Sequence, residues 1–136
     1  MSATTGFEVE LAIPFEAAVA RTRDVLKAEG FGILTEIDLR AAFKEKLGKD
    51  FRPYIILGAC NPALAYAAVT ADPGVGLLLP CNVTVEASDV ERSTVRLTDP
   101  EQMLAGAGGI PGQHLRAVAS DARARMERAT AALRRG

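Results

Sequence analysis

Phe7, Val9, Leu11 and Ile13 are separated by Glu8, Glu10 and Ala12, the period-two pattern of a strand with one buried and one wet face. Pro14 then suits the first turn of a helix, and Phe15, Ala18, Val19, Thr22, Val25 and Leu26 form a stripe at helical spacing that Gly30 stops. Ile33, Thr35, Ile37 and Leu39 alternate with Leu34, Glu36 and Asp38 as a second strand, and Arg40 to Leu47 reads as a short helix closed by Gly48. Beyond a loop from Lys49 to Pro53, Tyr54-Ile55-Ile56-Leu57 is apolar on both faces, as expected of a central strand covered from two sides. Asn61-Pro62 starts a helix that runs to about Ala71, where Asp72-Pro73-Gly74 turns the chain.

Leu79, Cys81, Val83, Val85 and Ala87 then alternate against Leu78, Pro80, Asn82, Thr84 and Glu86, predicting a long strand with Thr94 to Leu97 as its hairpin partner across Ser88-Asp89. Pro80 argues for an edge or a bulge. A glycine-rich connector, Gly106 to Gly112, leads to the longest helix, with Leu115, Val118, Ala119, Ala122, Met126, Ala129 and Leu133 on one stripe. This order of elements predicts a single α+β domain over residues 1–136, with a mainly antiparallel sheet and helices layered on one face. A weak internal echo accompanies it: strand, Pro14, helix, Gly30-Phe31-Gly32, strand is matched by strand, Pro62, helix, Gly74-Val75-Gly76, strand.

With 136 residues, 49% of them hydrophobic, the chain is long enough to build a core without disulfide or metal. Its 16 basic and 17 acidic residues leave a net charge of -1, which speaks against general nucleic-acid binding. The arginines after Gly112, from Arg116 to Arg135, make one end basic; a solvated helix face explains them as well as an anion clasp does. No apolar run is long enough for a membrane span, and Met1 to Gly6 has neither a basic start nor an apolar export segment, so the expected address is the cytoplasm and Cys60 and Cys81 are expected as free thiols.

Gly30-Phe31-Gly32-Ile33-Leu34-Thr35-Glu36-Ile37-Asp38, Leu57-Gly58-Ala59-Cys60-Asn61-Pro62 and Gly76-Leu77-Leu78-Leu79-Pro80-Cys81-Asn82-Val83 resemble the signature blocks of domain of unknown function family 302, over nearly the whole chain. Two Cys-Asn pairs, each beside a proline, and the Gly-Phe-Gly before an acidic strand are the most specific pieces. The resemblance implies a small α+β protein, often a homodimer, and brings no catalytic residue with it.

Cys60 ends a predicted strand directly before a helix start, where free N–H groups and the helix dipole favour a thiolate. A small buried hydrophobe is the competing account for Cys60, and more so for Cys81 on the apolar side of its strand. Cys60, Asn61, Cys81 and Asn82 are the candidate ligand-binding residues of a groove between sheet and helices, which makes a small-molecule or partner-binding module the leading expectation. Thiol-dependent redox or transfer chemistry, with Cys60 attacking and Cys81 resolving, is the enzymatic alternative; a purely structural or interaction protein is the third. With one histidine and no CxxC spacing, no metal or cofactor is expected.

His114, beside Gly112, Gln113 and Arg116, reads as a solvated helix-start residue rather than a base. The glycine run lacks the GxxxxGK[ST] order of a phosphate loop. Glu8, Glu10, Glu36, Asp38 and Glu86 are placed on the wet strand faces. A two-layer domain covers only one sheet face, so Tyr54 and Ile56, or Ile55 and Leu57, are left facing outward, with Leu78 and Pro80 extending the patch; a homodimer formed through that face would cover them.

Overall fold

The alternating runs become strands and the 3.6-spaced stripes become helices in a computed structural model that describes residues 6–106 and 112–136. The chain runs β1 (Gly6–Leu11), α1 (Phe15–Ala28), β2 (Gly32–Asp38), α2 (Leu39–Leu47), β3 (Tyr54–Cys60), α3 (Pro62–Ala71), a short 3₁₀ helix (Pro73–Leu78), β4 (Cys81–Asp89), β5 (Arg92–Thr98), α4 (Pro100–Gly106) and α5 (Gly112–Arg135). The five strands form one antiparallel sheet in the order β1-β5-β4-β3-β2, an α+β fold. Residues 107–111 of the glycine-rich connector, and the side chain of His114, lie outside the described residues. Among the described residues no helix is long and apolar enough to cross a membrane.

One face of the sheet carries the core. Val9, Leu57, Val83, Val85, Val95 and Leu97 point from the strands toward Ala18 and Leu26 of α1 and Met126, Ala129 and Leu133 of α5, all in one buried cluster. Burying each such aliphatic side chain contributes roughly 1.5–3 kcal/mol. A second, smaller cluster of Ala68, Val75 and Leu115, with Leu78, Leu79, Leu104 and Val118 against it, joins α3, the 3₁₀ helix, α4 and α5.

The structure departs from the sequence pattern at β2. Ile33 pairs with Ala59 and Thr35 with Gly58, so Leu34 is an extra residue without a partner. This bulge reverses the parity of everything after it. Ile37 therefore stands opposite Ile56 on the outer face, not in the core, and Glu36 opposite Leu57 on the helix side. There Glu36 accepts from Arg23 of α1 at 2.5 Å. Asp38, opposite Ile55, likewise stands on the helix side though exposed: its Oδ1 accepts the Ala41 N–H at 3.0 Å and caps α2.

Two further corrections concern the next strand. Leu79 and Pro80 precede β4 instead of belonging to it, and β4 is interior, with its irregularity at its far end between Ala87 and Asp89. Leu78 packs into the second cluster and adds nothing to an outer patch. The hairpin turn lies two residues later than the pattern placed it, at Val90 and Glu91. Pro100 to Gly106, which no period marked, is a helix.

The outer face is half charged and half apolar. Tyr54, Glu86, Thr94 and Glu10 form one row across the strands, and Ile37, Ile56, Thr84, Arg96 and Glu8 the next. Arg96 donates to Glu8 at 2.7 Å and to Glu86, and Arg52, from the loop before β3, donates to Glu86 at 2.6 Å. The same loop sets Phe51 edge-to-face against Phe43 of α2 and tilted against Tyr54, so α2 and the loop cover one margin of this face.

Burial alone would raise the Glu86 carboxyl, but the hydrogen bonds and charges of Arg96 and Arg52 outweigh it and hold the group below the usual glutamate range. The resulting stabilisation is present above that range and is lost as pH falls through it. Glu86→Gln is expected to cost about 1–3 kcal/mol at neutral pH, with the difference from wild type shrinking below about pH 4. Urea denaturation of both proteins across pH checks this.

Candidate functional site

The three motif blocks meet at one end of the sheet. Helix α1 ends at Ala28, and the chain turns away through Gly30, whose φ of +85° belongs to the left-handed region that glycine adopts freely. The chain then turns Phe31 into the core, leaving it 4% exposed, and sets Gly32 opposite Cys60. Strand β3 ends at Cys60 because Asn61 caps the following helix, its Oδ1 accepting the Leu64 N–H at 3.1 Å, with Pro62 in the first helical position. Ala59 pairs with Cys81, which brings the third block alongside. Gly58 allows this close approach: a Cβ there would lie 2.1 Å from Thr35 Oγ1 and 2.7 Å from Pro80 Cγ.

Beneath this junction lies an apolar cavity of about 60 Å³. Phe31, Ala59, Cys60, Asn61 and Cys81 supply its sheet end, Leu64, Ala65 and Ala68 the α3 wall, Pro100, Met103 and Leu104 the α4 wall, and Val118, Ala119 and Ala122 the α5 wall. Among the described residues Asn61 and the two thiols are the only polar side chains on it. The structure thus brings Cys60, Asn61 and Cys81 together. It does not bring Asn82 to them: one residue on from Cys81 the strand alternation turns Asn82 to the outer face, where it lines a separate depression with Tyr54, Thr84, Arg96 and Thr98.

Sequence reasoning missed the α4 wall. Its signal was present as Asp99-Pro100, the same cap-and-proline start as Asn61-Pro62. Asp99 Oδ1 accepts the Glu101 N–H at 3.0 Å, and Arg123 of α5 donates to its other oxygen at 2.9 Å, anchoring α4 over the cavity. The alanines of α3 and α5 also carried no distinguishing mark, since their role is to be small.

Burial pushes both thiols up: Cys60 above its ordinary value, and Cys81 to about 11, where the nearby Cys60 adds a smaller upward push. This is the direction opposite to the one a helix start imposes. Among the described residues no group of three or more His, Cys, Asp or Glu side chains is placed to hold a metal ion.

An antiparallel five-stranded sheet with a helical layer and an apolar cavity at the convergence of its three motif blocks defines a small α+β protein with an apolar recess at one end of its sheet. The model of the domain of unknown function family DUF302 matches residues 7–133, so the chain belongs to that family. The crystal structure of an uncharacterized conserved DUF302 protein from Bacillus stearothermophilus is similar at 25% identity and a TM-score of 0.81, covering 96% of this chain and 98% of that one. No curated protein matches.

A thiol whose folded value is raised contributes stability below its unfolded value and loses it as pH rises through the folded one. Stability is therefore expected to fall by on the order of 2 kcal/mol through the Cys81 titration, between its ordinary value of 9.0 and about 11. The fall should be markedly smaller in Cys81→Ala, which keeps only the Cys60 contribution, when both are unfolded by urea across that window.

Proposed function

We propose that this protein is a binding module that takes a small apolar molecule, or the apolar part of a larger one, into the cavity between the β3 and β4 ends, α3, α4 and α5. The observation that carries the reading is convergence: three separated sequence blocks meet on one recess whose wall is almost wholly apolar. Such recesses with a few polar groups at one end are what ligand sites are made of. The thiols serve as soft, polarisable wall rather than as nucleophiles, because burial keeps both protonated at neutral pH. The cytoplasm, where both would stay reduced, is the proposed location.

The protein is also proposed to be a homodimer that meets through the outer sheet face. Ile37, 47% exposed, stands beside Ile56 and near Tyr54 on the half of that face that carries no charge.

Ala65→Leu, which fills the recess from a helix, is expected to abolish the shifts that xenon under pressure induces in the methyl resonances of Leu64 and Val118, while leaving the melting temperature equal or higher. Probe binding that survives this change would overturn the cavity reading. Sedimentation equilibrium at micromolar concentration tests the assembly: twice 14.4 kDa for wild type and a monomer for Ile56→Glu support it, and a monomeric wild type rejects it.

A further inference from the structure

Resting on the reading that two copies meet through the outer sheet face, we infer that the two-fold axis between them runs along the strands, so that the basic margin at α2 of each copy docks on the acidic margin at β1 and the β4–β5 hairpin of the other. The observation behind this is an uneven charge. Residues 39–53, α2 and the loop after it, carry five basic and two acidic side chains, whereas the rest of the chain carries eleven basic and fifteen acidic.

Both margins stand at the same end of the sheet. Helix α2 leaves β2 at Leu39, and its Phe43 meets Phe51, which meets Tyr54 at the start of β3. Tyr54 pairs with Glu86, Glu86 with Thr94 and Thr94 with Glu10, and the turn at Val90 and Glu91 lies just beyond that row. The basic and acidic margins therefore flank the outer face at one level, on opposite sides of it.

Each margin carries charge that its own copy leaves unmet. Arg40 and Lys49 are exposed, and among the described residues neither forms an ion pair. On the other side Glu91 is exposed and likewise unpaired among the described residues. Glu10 accepts from hydroxyls, Thr94 at 2.6 Å and Ser88 at 3.5 Å, and from no cation among the described residues. Each margin also raises an aliphatic side chain into solvent: Leu47, 64% exposed, beside Lys46 and Gly48, and Val90, 88% exposed, between Asp89 and Glu91. Helix α2 is capped by Asp38 and ends at a left-handed Gly48, yet none of its nine residues is buried. A helix so short is marginal on its own hydrogen bonds, and a surface laid on it supplies packing that its own copy does not.

Sheets packed face to face keep their strand directions within about 30°, so a two-fold axis between them runs either across the strands or along them. An axis across the strands lays each strand on its own copy, bringing Arg96 toward the partner's Arg96 and Glu8 toward the partner's Glu8, and like charges so placed oppose binding. An axis along the strands keeps the end of the sheet and exchanges the margins. It brings Arg40 and Lys49 toward the partner's Glu10 and Glu91, and by symmetry the same contact forms a second time, with Ile37 and Ile56 covered between the two.

Sedimentation equilibrium of two charge-reversed variants and of their mixture tests this. Glu10→Lys/Glu91→Lys and Arg40→Glu/Lys49→Glu change exposed side chains only; each alone sets like charge against like at both contacts and is expected to raise the dimer dissociation constant at least about tenfold. Mixed in equal amounts, the two are expected to recover wild-type affinity as a heterodimer, because both of its contacts again join opposite charges. Variants as dimeric as wild type, or weakened variants that mixing does not rescue, would overturn the arrangement and leave the sheet-face dimer standing. A monomeric wild type would remove both. Should either variant fail to fold, wild type alone still decides: its dimer is expected to weaken as salt rises from about 50 to about 500 mM, and a dimer that salt leaves unchanged or tightens would overturn the charge-matched contact.

Discussion

The pairing of β3 with β2 on one side and β4 on the other is the constraint from which the rest of the structure follows. Antiparallel register is set in steps of one residue, and a one-residue slip exchanges the two faces of a strand. With Ala59 opposite both Ile33 and Cys81, the Gly-Phe-Gly turn, the Cys-Asn-Pro helix start and the approach to β4 reach the same end of the sheet. The α3 cap, the entry of Phe31 into the core and the recess between them all depend on that coincidence. Gly58 is where the constraint is tightest, because Thr35 from one neighbouring strand and Pro80 from the approach to the other close over the space a side chain would need.

Most of the element order was legible because burial on one face imposes period two on strands and 3.6 on helices. The first strand, the long last helix and the two apolar faces of Tyr54 to Leu57 follow from that alone. A bulge is invisible to such reasoning: the residues after Leu34 still alternate, and nothing local announces that the alternation has changed sign. Glu36 and Asp38 were consequently placed on the wrong side. Helix α4 went unread for a different reason, being too short to display a period; only its Asp99-Pro100 start marks it. Of the candidate site, the two cysteines and Asn61 were readable from their position at element boundaries, whereas Asn82 was grouped with them by similarity of dipeptide, and strand geometry separates them.

A recess of this kind carries a stability cost. Unfilled apolar volume forgoes dispersion contacts, at roughly 24 cal/mol per Å³, so the cavity, about 60 Å³, amounts to on the order of 1 kcal/mol. Replacing any of Ala65, Ala119 or Ala122 by a larger aliphatic residue is the simple way to recover it. The fold meets the cost from its main cluster, where α1 and α5 close on the sheet, and the recess lies where that cluster, through Phe31, Ala59 and Cys81, adjoins the smaller one under α3 and α4.

The extra residue in β2 also governs how the molecule behaves toward its own copies. β2 is an edge strand, and an edge presents unpaired backbone groups along which another chain can add. The irregularity at Leu34 breaks that row near its start, and Glu36 and Asp38 follow within four residues, one tied to Arg23 and the other to the α2 cap. A strand approaching from outside meets an interrupted ladder flanked by charge. Sheet extension into fibrous aggregates is thereby opposed at this edge, even though Leu34 and Ile37 stand exposed there.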